Sequence, residues 1–169
     1  GRQAKTCGLN PRGHTATMHI ARLKPSDALQ YRGLMLQAYE LAADAFTSTA
    51  EERAAEPESF WVHRIADPSG LSAAFGAFEG KALIGTVALE FSAKPKTKHK
   101  ALVIGMYAVP TARGQGVGHA LLDALVAHAR AMEGLQLLTL TVTEGNAPAV
   151  KLYLSAGFQT FGVEPMAIL

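Results

Sequence analysis

The sequence predicts a single α/β domain: one mixed sheet flanked by helices, in the order β-α-α-β-β-β-α-β-α-β. Three observations carry this. The chain has 169 residues, enough for one core and too few for two comfortable ones. Apolar, β-branched runs of strand length alternate with stretches of helical periodicity. Between Val109 and Thr143 a strand end, a glycine-rich turn, an amphipathic helix and a second strand follow one another. That is a parallel crossover unit, whereas the strands just before it are joined too closely for anything but a meander.

The elements follow in order. His19–Leu23 alternates and reads as the first strand. KPSDALQYRGLMLQAYELAADAF is helical, with Ser26 or Asp27 near its start and Leu29, Leu34, Leu36, Tyr39 and Leu41 available for a buried stripe. STAEERAAEP makes a short second helix, with Ser48 or Thr49 as cap, Glu51 and Glu52 in the first turn and Pro57 just past the end. SFWVHRIAD fits either a helix end or a loop. Leu71–Phe78 and Lys81–Phe91 are strands joined by a tight turn at Glu79-Gly80, and Lys100–Val109 is the next. A helix runs from about Gly116 to Met132; its rows Val117, Leu121, Leu125 and Leu122, Val126, Ala129 give a wide apolar face, and Gly134 ends it. LQLLTLTVT is a β-branched strand. NAPAVKLYLSA is a short helix with Asn146 in its N-cap region and Gly157 at C′. FQTFGVEPMAIL supplies a final strand. There is no internal repeat and no low-complexity tract.

Composition narrows the function. Hydrophobic content of 49% and charged content of 18% describe a soluble globule, and no apolar run approaches transmembrane length. The single cysteine, Cys7, cannot form an internal disulfide, so a reducing, cytoplasmic setting is expected. The formal charge of +2 becomes −1 once the +3 of residues 1–17 is set aside, so a nucleic-acid partner is not expected, nor a membrane or a metal. KPKTKHK, Lys94 to Lys100, reads as a solvated hairpin turn. Residues 1–17 read as a flexible leader or expression remnant with Met18 as the native start, leaving 18–169 as one domain.

The stretch with chemistry in it is Arg113-Gly114-Gln115-Gly116-Val117-Gly118, at a strand-to-helix junction. A helix start offers unpaired N–H groups and a positive dipole end, so a phosphate gains several charge-assisted bonds there. Glycine lets the phosphate approach the backbone, and Arg113 adds a permanent cation. The alternative is a turn whose glycines only let the helix pack. A P-loop is excluded because Gly118 is followed by His119-Ala120 instead of Lys-Ser/Thr. A dinucleotide fingerprint starting at Gly114 would put its third glycine at His119 and belongs beside a first strand.

These residues resemble the acetyl-CoA loop of the GCN5-related N-acetyltransferase (GNAT) superfamily, Arg/Gln-x-x-Gly-x-Gly/Ala, in full. Asn146, Ala149, Leu152 and Tyr153, followed by Gly157-Phe158, match its second motif. The resemblance extends from about Ile20 to the end of the chain. It implies an acetyl-CoA-dependent N-acetyltransferase acting on a primary amine of a small molecule or peptide. It implies that the amides of Gly114, Gln115, Gly116, Val117, Gly118 and His119, with Arg113, hold the CoA pyrophosphate. Met106, Tyr107 and Ala108, on a strand that ends in a bulge and parts from its neighbour, would pair with the pantetheine arm. Asn146 would touch the same arm, an amide near Ala108 would face the oxyanion, and Tyr153 would protonate the departing thiolate. A helix tyrosine packed on the sheet is the plain alternative for Tyr153.

The general base is open: Glu90 is the first candidate and Glu144 the second, and each also reads as a solvated carboxylate. His63 and His99 have no constellation around them. Phe46 and Trp61 would border the acceptor or serve helix packing. One departure stands out: the family has a further strand after the Gly-Phe strand, whereas here EPMAIL ends the chain. A short last strand, a missing tail or a strand supplied by a partner would each account for it, and an open sheet edge would suit a homodimer. The rival to an enzyme is a non-catalytic acyl-CoA-binding sensor.

Overall fold

Five strands form one sheet in chain order: β1 (Met18–Arg22), β2 (Ser72–Glu79), β3 (Ala82–Phe91), β4 (Lys100–Ala108) and β5 (Leu137–Thr139). The first four are antiparallel neighbours, and β5 joins β4 in parallel, as the crossover pattern requires. Helices α1 (Ala28–Leu41), α2 (Ala50–Ala54) and α3 (Glu58–Ala66) lie between β1 and β2, α4 (Val117–Ala131) between β4 and β5, and α5 (Ala147–Ser155) follows β5. The computed structural model describes residues 17–167. The expected leader, apart from Thr17, and Cys7 lie outside the described residues.

The sheet separates two apolar layers. On one face, Tyr31, Leu34, Met35, Ala38 and Tyr39 of α1 and Trp61 and Ile65 of α3 pack with Ala74, Ala88 and Tyr107. On the other, Val117, Leu121, Leu125 and Ala129 of α4 pack with Ala73, Phe75, Val87, Leu89 and Val103. The strands alternate between these layers, so every buried leucine contributes about 2 kcal/mol to holding a helix on a chosen face. Position matters for α4: a Cβ on Gly85 would meet the Val117 side chain at 2.8 Å, so glycine there lets the start of the helix sit close on the sheet.

Several expectations need correction. The α1 stripe is Tyr31, Leu34, Met35 and Ala38, spaced for one helical face; Leu29 and Leu41 are 68% and 61% exposed. SFWVHRIAD is a true helix, because Trp61 and Ile65, four apart, are both fully buried. The β2–β3 turn is Gly80-Lys81, one residue later than expected: Glu79 still pairs with Ala82, and Gly80 takes φ +61°. Around α2 the cap is Thr49, whose Oγ1 accepts from the Glu52 N–H at 3.1 Å while the Glu52 carboxylate accepts from the Thr49 N–H at 2.9 Å.

The largest correction is at the C-terminal side. Of the expected strand Leu135–Thr143, only Leu137–Thr139 pairs, and residues 158–167 form no strand. Strand propensity needs a hydrogen-bonding neighbour to express itself. Here β5 is the edge of the sheet, and Phe161 and Val163 are 89% and 79% exposed.

Candidate active site

The sheet splits at its β4–β5 seam. The pairing covers only Lys100↔Leu137, Ala101↔Leu138 and Leu102↔Thr139. Beyond Leu102, β4 runs on to Ala108 with no neighbour on that side. Halfway along, the register with β3 steps from Ala88↔Ile104 to Thr86↔Tyr107, so β4 carries one extra residue. Gly105, at φ +62°, absorbs it. Hydrogen bonds alternate sides along a strand, and the Val109 N–H reaches back to the Ile84 carbonyl at 2.9 Å. The Ala108 N–H, one residue earlier, therefore points to the open side. The bulge thus lies inside β4 and not at its end, and Met106, Tyr107 and Ala108 follow it along the edge that has no strand neighbour.

At the mouth of this split lies the glycine loop. Gly114 and Gly116 both have φ +77°, and nothing lies within 4 Å of a Cβ added at either. Left-handed residues two apart turn successive amides toward one side, the concavity that binds anions. The first bond within α4 is Ala120 N–H to the Gly116 carbonyl at 3.0 Å, so the amides of Val117, Gly118 and His119 have no partner in the helix. Arg113 is exposed, and it partly offsets the upward push that burial gives the Tyr107 hydroxyl pKa. The loop thus offers amides without helix partners, open space and a cation, the features a diphosphate needs. Gly118 differs from the other two: its added Cβ would meet Leu152 at 2.9 Å, so this glycine serves the approach of α5 to α4.

That contact joins the two motifs. Asn146 caps α5, its Oδ1 accepting from the Ala149 N–H at 3.4 Å, and Gly157 follows the helix at φ +95°. Tyr153 is 9% exposed, packs edge-on against Phe158 at 5.8 Å, and makes no hydroxyl hydrogen bond among the described residues. Burial pushes its pKa up to about 12.

Glu90 stands apart from the loop. It pairs with Leu102, where the β4–β5 seam closes, while Gly85 pairs with Ala108 at the open end. Five residues of strand, about 17 Å, separate the two. A small hollow of about 170 Å³, lined in part by Glu90, Thr97, Lys100 and Thr139, marks this closed end. A larger one of about 700 Å³ runs along Val150, Lys151 and Leu154 of α5, and no residue of the glycine loop lines it. Glu144 is exposed in the turn before α5, His63 is exposed, and Trp61, fully buried, packs in the core. Phe46 packs on Tyr39 at 5.1 Å.

Residues the sequence did not flag meet beneath the bulge. The Tyr31 hydroxyl lies 3.5 Å from where a Cβ on Gly105 would sit, and it accepts a hydrogen bond from Arg64 Nε at 3.2 Å. Burial raises the Tyr31 pKa, so the hydroxyl is neutral at physiological pH. A glycine inside the run VIGMY was the available signal for the bulge. Nothing in the sequence linked Tyr31 to Arg64.

A sheet that opens at the carboxyl ends of parallel neighbours, next to a glycine-lined helix start, is an arrangement that suits a diphosphate-bearing ligand. Residues 35–158 match the model of the acetyltransferase (GNAT) family, and the chain belongs to that family. Acetyl-CoA is the family's acyl donor. It is 36% identical over 123 residues to a mycothiol acetyltransferase of Geodermatophilus obscurus, an alignment covering 69% of this chain and 36% of that protein. The chain thus spans about a third of the length of this curated relative. Among solved structures, a GNAT-family acetyltransferase from Streptococcus pneumoniae superposes with a TM-score of 0.71 at 24% identity, over 86% of each chain. A predicted acetyltransferase from Clostridium acetobutylicum, solved with acetyl-CoA, superposes with a TM-score of 0.63 at 21% identity, over 86% of this chain and 92% of that one. No helix among the described residues is long and apolar enough to cross a membrane.

Proposed function

We propose that this chain moves the acetyl group of acetyl-CoA to the primary amine of a small molecule or peptide by direct attack of the amine on the thioester. The observation that carries the reading is the open edge of β4 leading from the glycine loop to Glu90. When bound, acetyl-CoA supplies an acyl group activated as a thioester and a thiol leaving group. The rest falls to the chain. The amides of Gly114 through His119, with Arg113, bind the diphosphate. Met106, Tyr107 and Ala108 align the extended arm by strand-like pairing, and Asn146 borders it. The outward N–H of Ala108 pairs with this arm beside the loop, about 17 Å along the strand from Glu90. Glu90, exposed at the closed end of the split, takes the proton that the attacking amine must lose.

Tyr153 has the departing-thiol role, and its environment defines how it fills it. A hydroxyl with a pKa of about 12 is fully protonated at neutral pH. A thiol lies near 8.5, so outright proton transfer to the thiolate would be uphill by about 3.5 units, or about 5 kcal/mol. Tyr153 therefore acts chiefly as a hydrogen-bond donor whose bond strengthens as charge builds on sulfur. Tyr153→Phe tests this. Acetyl-CoA affinity by titration calorimetry should stay within twofold, while thiol release with a competent amine falls by about 100-fold. Unchanged turnover removes Tyr153 from the chemistry. Failure of the wild-type protein to bind acetyl-CoA in preference to NAD and ATP refutes the whole reading.

A further inference from the structure

We propose that Arg64 and Glu90 together select the acceptor, and that it is an amine carrying a carboxylate close to its nitrogen, as an amino acid does. This rests on the acetyl-transfer reading and names the substrate class for the same site.

Arg64 is a held cation that makes no ion pair among the described residues. Its Nε is fixed on the Tyr31 hydroxyl at 3.2 Å, and its guanidinium carbon stands 6.0 Å from the centre of the Phe60 ring. The other guanidinium N–H groups have no hydrogen-bond partner among the described residues, where the one ion pair is Arg53–Glu56. Tyr31 is fully buried and sits under Gly105, so the anchor of this cation is the bulge itself. Tyr39, 3% exposed, adds a buried hydroxyl with no partner. Burial works against the charge on Arg64, but Tyr31 and Tyr39, and more weakly Glu90, hold its pKa above the ordinary value.

Glu90 is brought to the same place by a chain of contacts. Ser72 Oγ donates to the His63 carbonyl at 2.6 Å, tying the last turn of α3 to β2. Ser72 is in register with Glu90 on β3. Ala88 belongs to the layer under α1 and α3, and Glu90, two residues on, points to that same face. So Arg64, next to His63, and Glu90 lie on the same side of the sheet, and no oxygen of Glu90 comes within 4.0 Å of the guanidinium, the distance that would make them an ion pair. Two opposite charges kept apart at the end of the split match a ligand with the complementary pair. The guanidinium fork takes a carboxylate in a bidentate grip, and Glu90 receives the ammonium whose proton must leave. An amine lacking the carboxylate would leave Arg64 desolvated and unpaired, a strong basis for discrimination.

The test uses the full chain with acetyl-CoA, whose own binding is measured first by calorimetry. The probes are the common L-amino acids, each against its α-amide, and 1,4-diaminobutane as a carboxylate-free amine. The readouts are thiol release and the shift in melting temperature produced by each probe in the presence of CoA. At least one amino acid should raise the melting temperature and be acetylated with a kcat/KM at least tenfold above its amide. Arg64→Met should bring that ratio to near one, and Arg64→Lys, which keeps the charge but loses the fork, should retain part of it. The proposal is overturned if amides do as well as acids or if the preference survives Arg64→Met. It is equally overturned if no amino acid shifts the melting temperature. Turnover of 1,4-diaminobutane alone would overturn it while leaving acetyl transfer intact, whereas absence of acetyl-CoA binding would bring down the parent reading.

Discussion

Gly116→Glu isolates what the glycine loop does, because Gly134 supplies its control. Both residues are left-handed, at φ +77° and +81°, and neither has a heavy atom within 4 Å of an added Cβ. A side chain at either costs about 1–2 kcal/mol of backbone strain. For a domain of this size that lowers the melting temperature by roughly 2–8 °C, equally for Gly116→Glu and Gly134→Glu. The difference is electrostatic. A carboxylate about 5 Å from a diphosphate meets about two negative charges, each worth about 0.8 kcal/mol in water and about 3 kcal/mol at an effective dielectric of 20. The sum, about 1.7 to 6 kcal/mol, means at least about 20-fold weaker acetyl-CoA binding for Gly116→Glu and none of it for Gly134→Glu. Calorimetry with acetyl-CoA, paired with thermal melts, reads both quantities. Added salt should recover part of the lost affinity, since the loop is exposed. Retained affinity in Gly116→Glu, or an equal loss in Gly134→Glu, would refute the cradle and leave the glycines as packing residues.

Two further outcomes follow from the same geometry. The Tyr153 pKa rises from 10.0 to about 12 in the folded state, so the stability that goes with it is complete below pH 10 and lost as pH climbs toward 12. That amounts to roughly 3 kcal/mol for this tyrosine. Denaturation midpoints across that window should fall, and fall less in Tyr153→Phe; equal slopes would mean its burial is not responsible. Amide exchange addresses β4: the Ala108 N–H should exchange freely in the unliganded protein and slow on addition of acetyl-CoA, while the Val109 N–H, bonded to Ile84, is protected in both states. Protection of Ala108 without cofactor would show that the edge is not open.

The parts of this protein legible in its sequence are those set by short-range chemistry. The capping box at Thr49 and Glu52, the apolar rows of α4 and the asparagine and glycine that bound α5 were all readable, because each is decided within a turn or two of chain. The glycine loop was legible for the same reason, since two left-handed residues before a helix need glycine wherever the rest of the chain goes. What stayed hidden depends on partners distant in sequence. LQLLTLTVT has the composition of a nine-residue strand yet pairs over three residues, because a neighbour and not propensity sets strand length. Tyr31 and Arg64 are 33 residues apart and meet only because α1 and α3 share one face of the sheet. Gly118 was legible as a motif residue but not in its role, since its neighbour Leu152 belongs to another helix.

The shortness of β5 is also what makes a site possible. Had all nine residues paired, the free edge from Val103 to Ala108 would be closed, and the glycine loop would face the end of a complete sheet with no groove leading from it. Two features hold the gap open. The bulge at Gly105 shifts the register of β4, which disfavours continued regular pairing on its other edge. Beyond the paired residues, the Thr143 hydroxyl donates to the Asp44 carbonyl at 2.6 Å, drawing the chain after β5 toward the turn that follows α1 and away from β4. The anchor under the bulge, Tyr31 on Arg64, comes from the same face as that turn. One layer of helices therefore keeps the strands apart and presents the charges that face the gap. A change in α1 or α3 should alter acceptor choice while leaving the cofactor loop, on the other side of the split, intact.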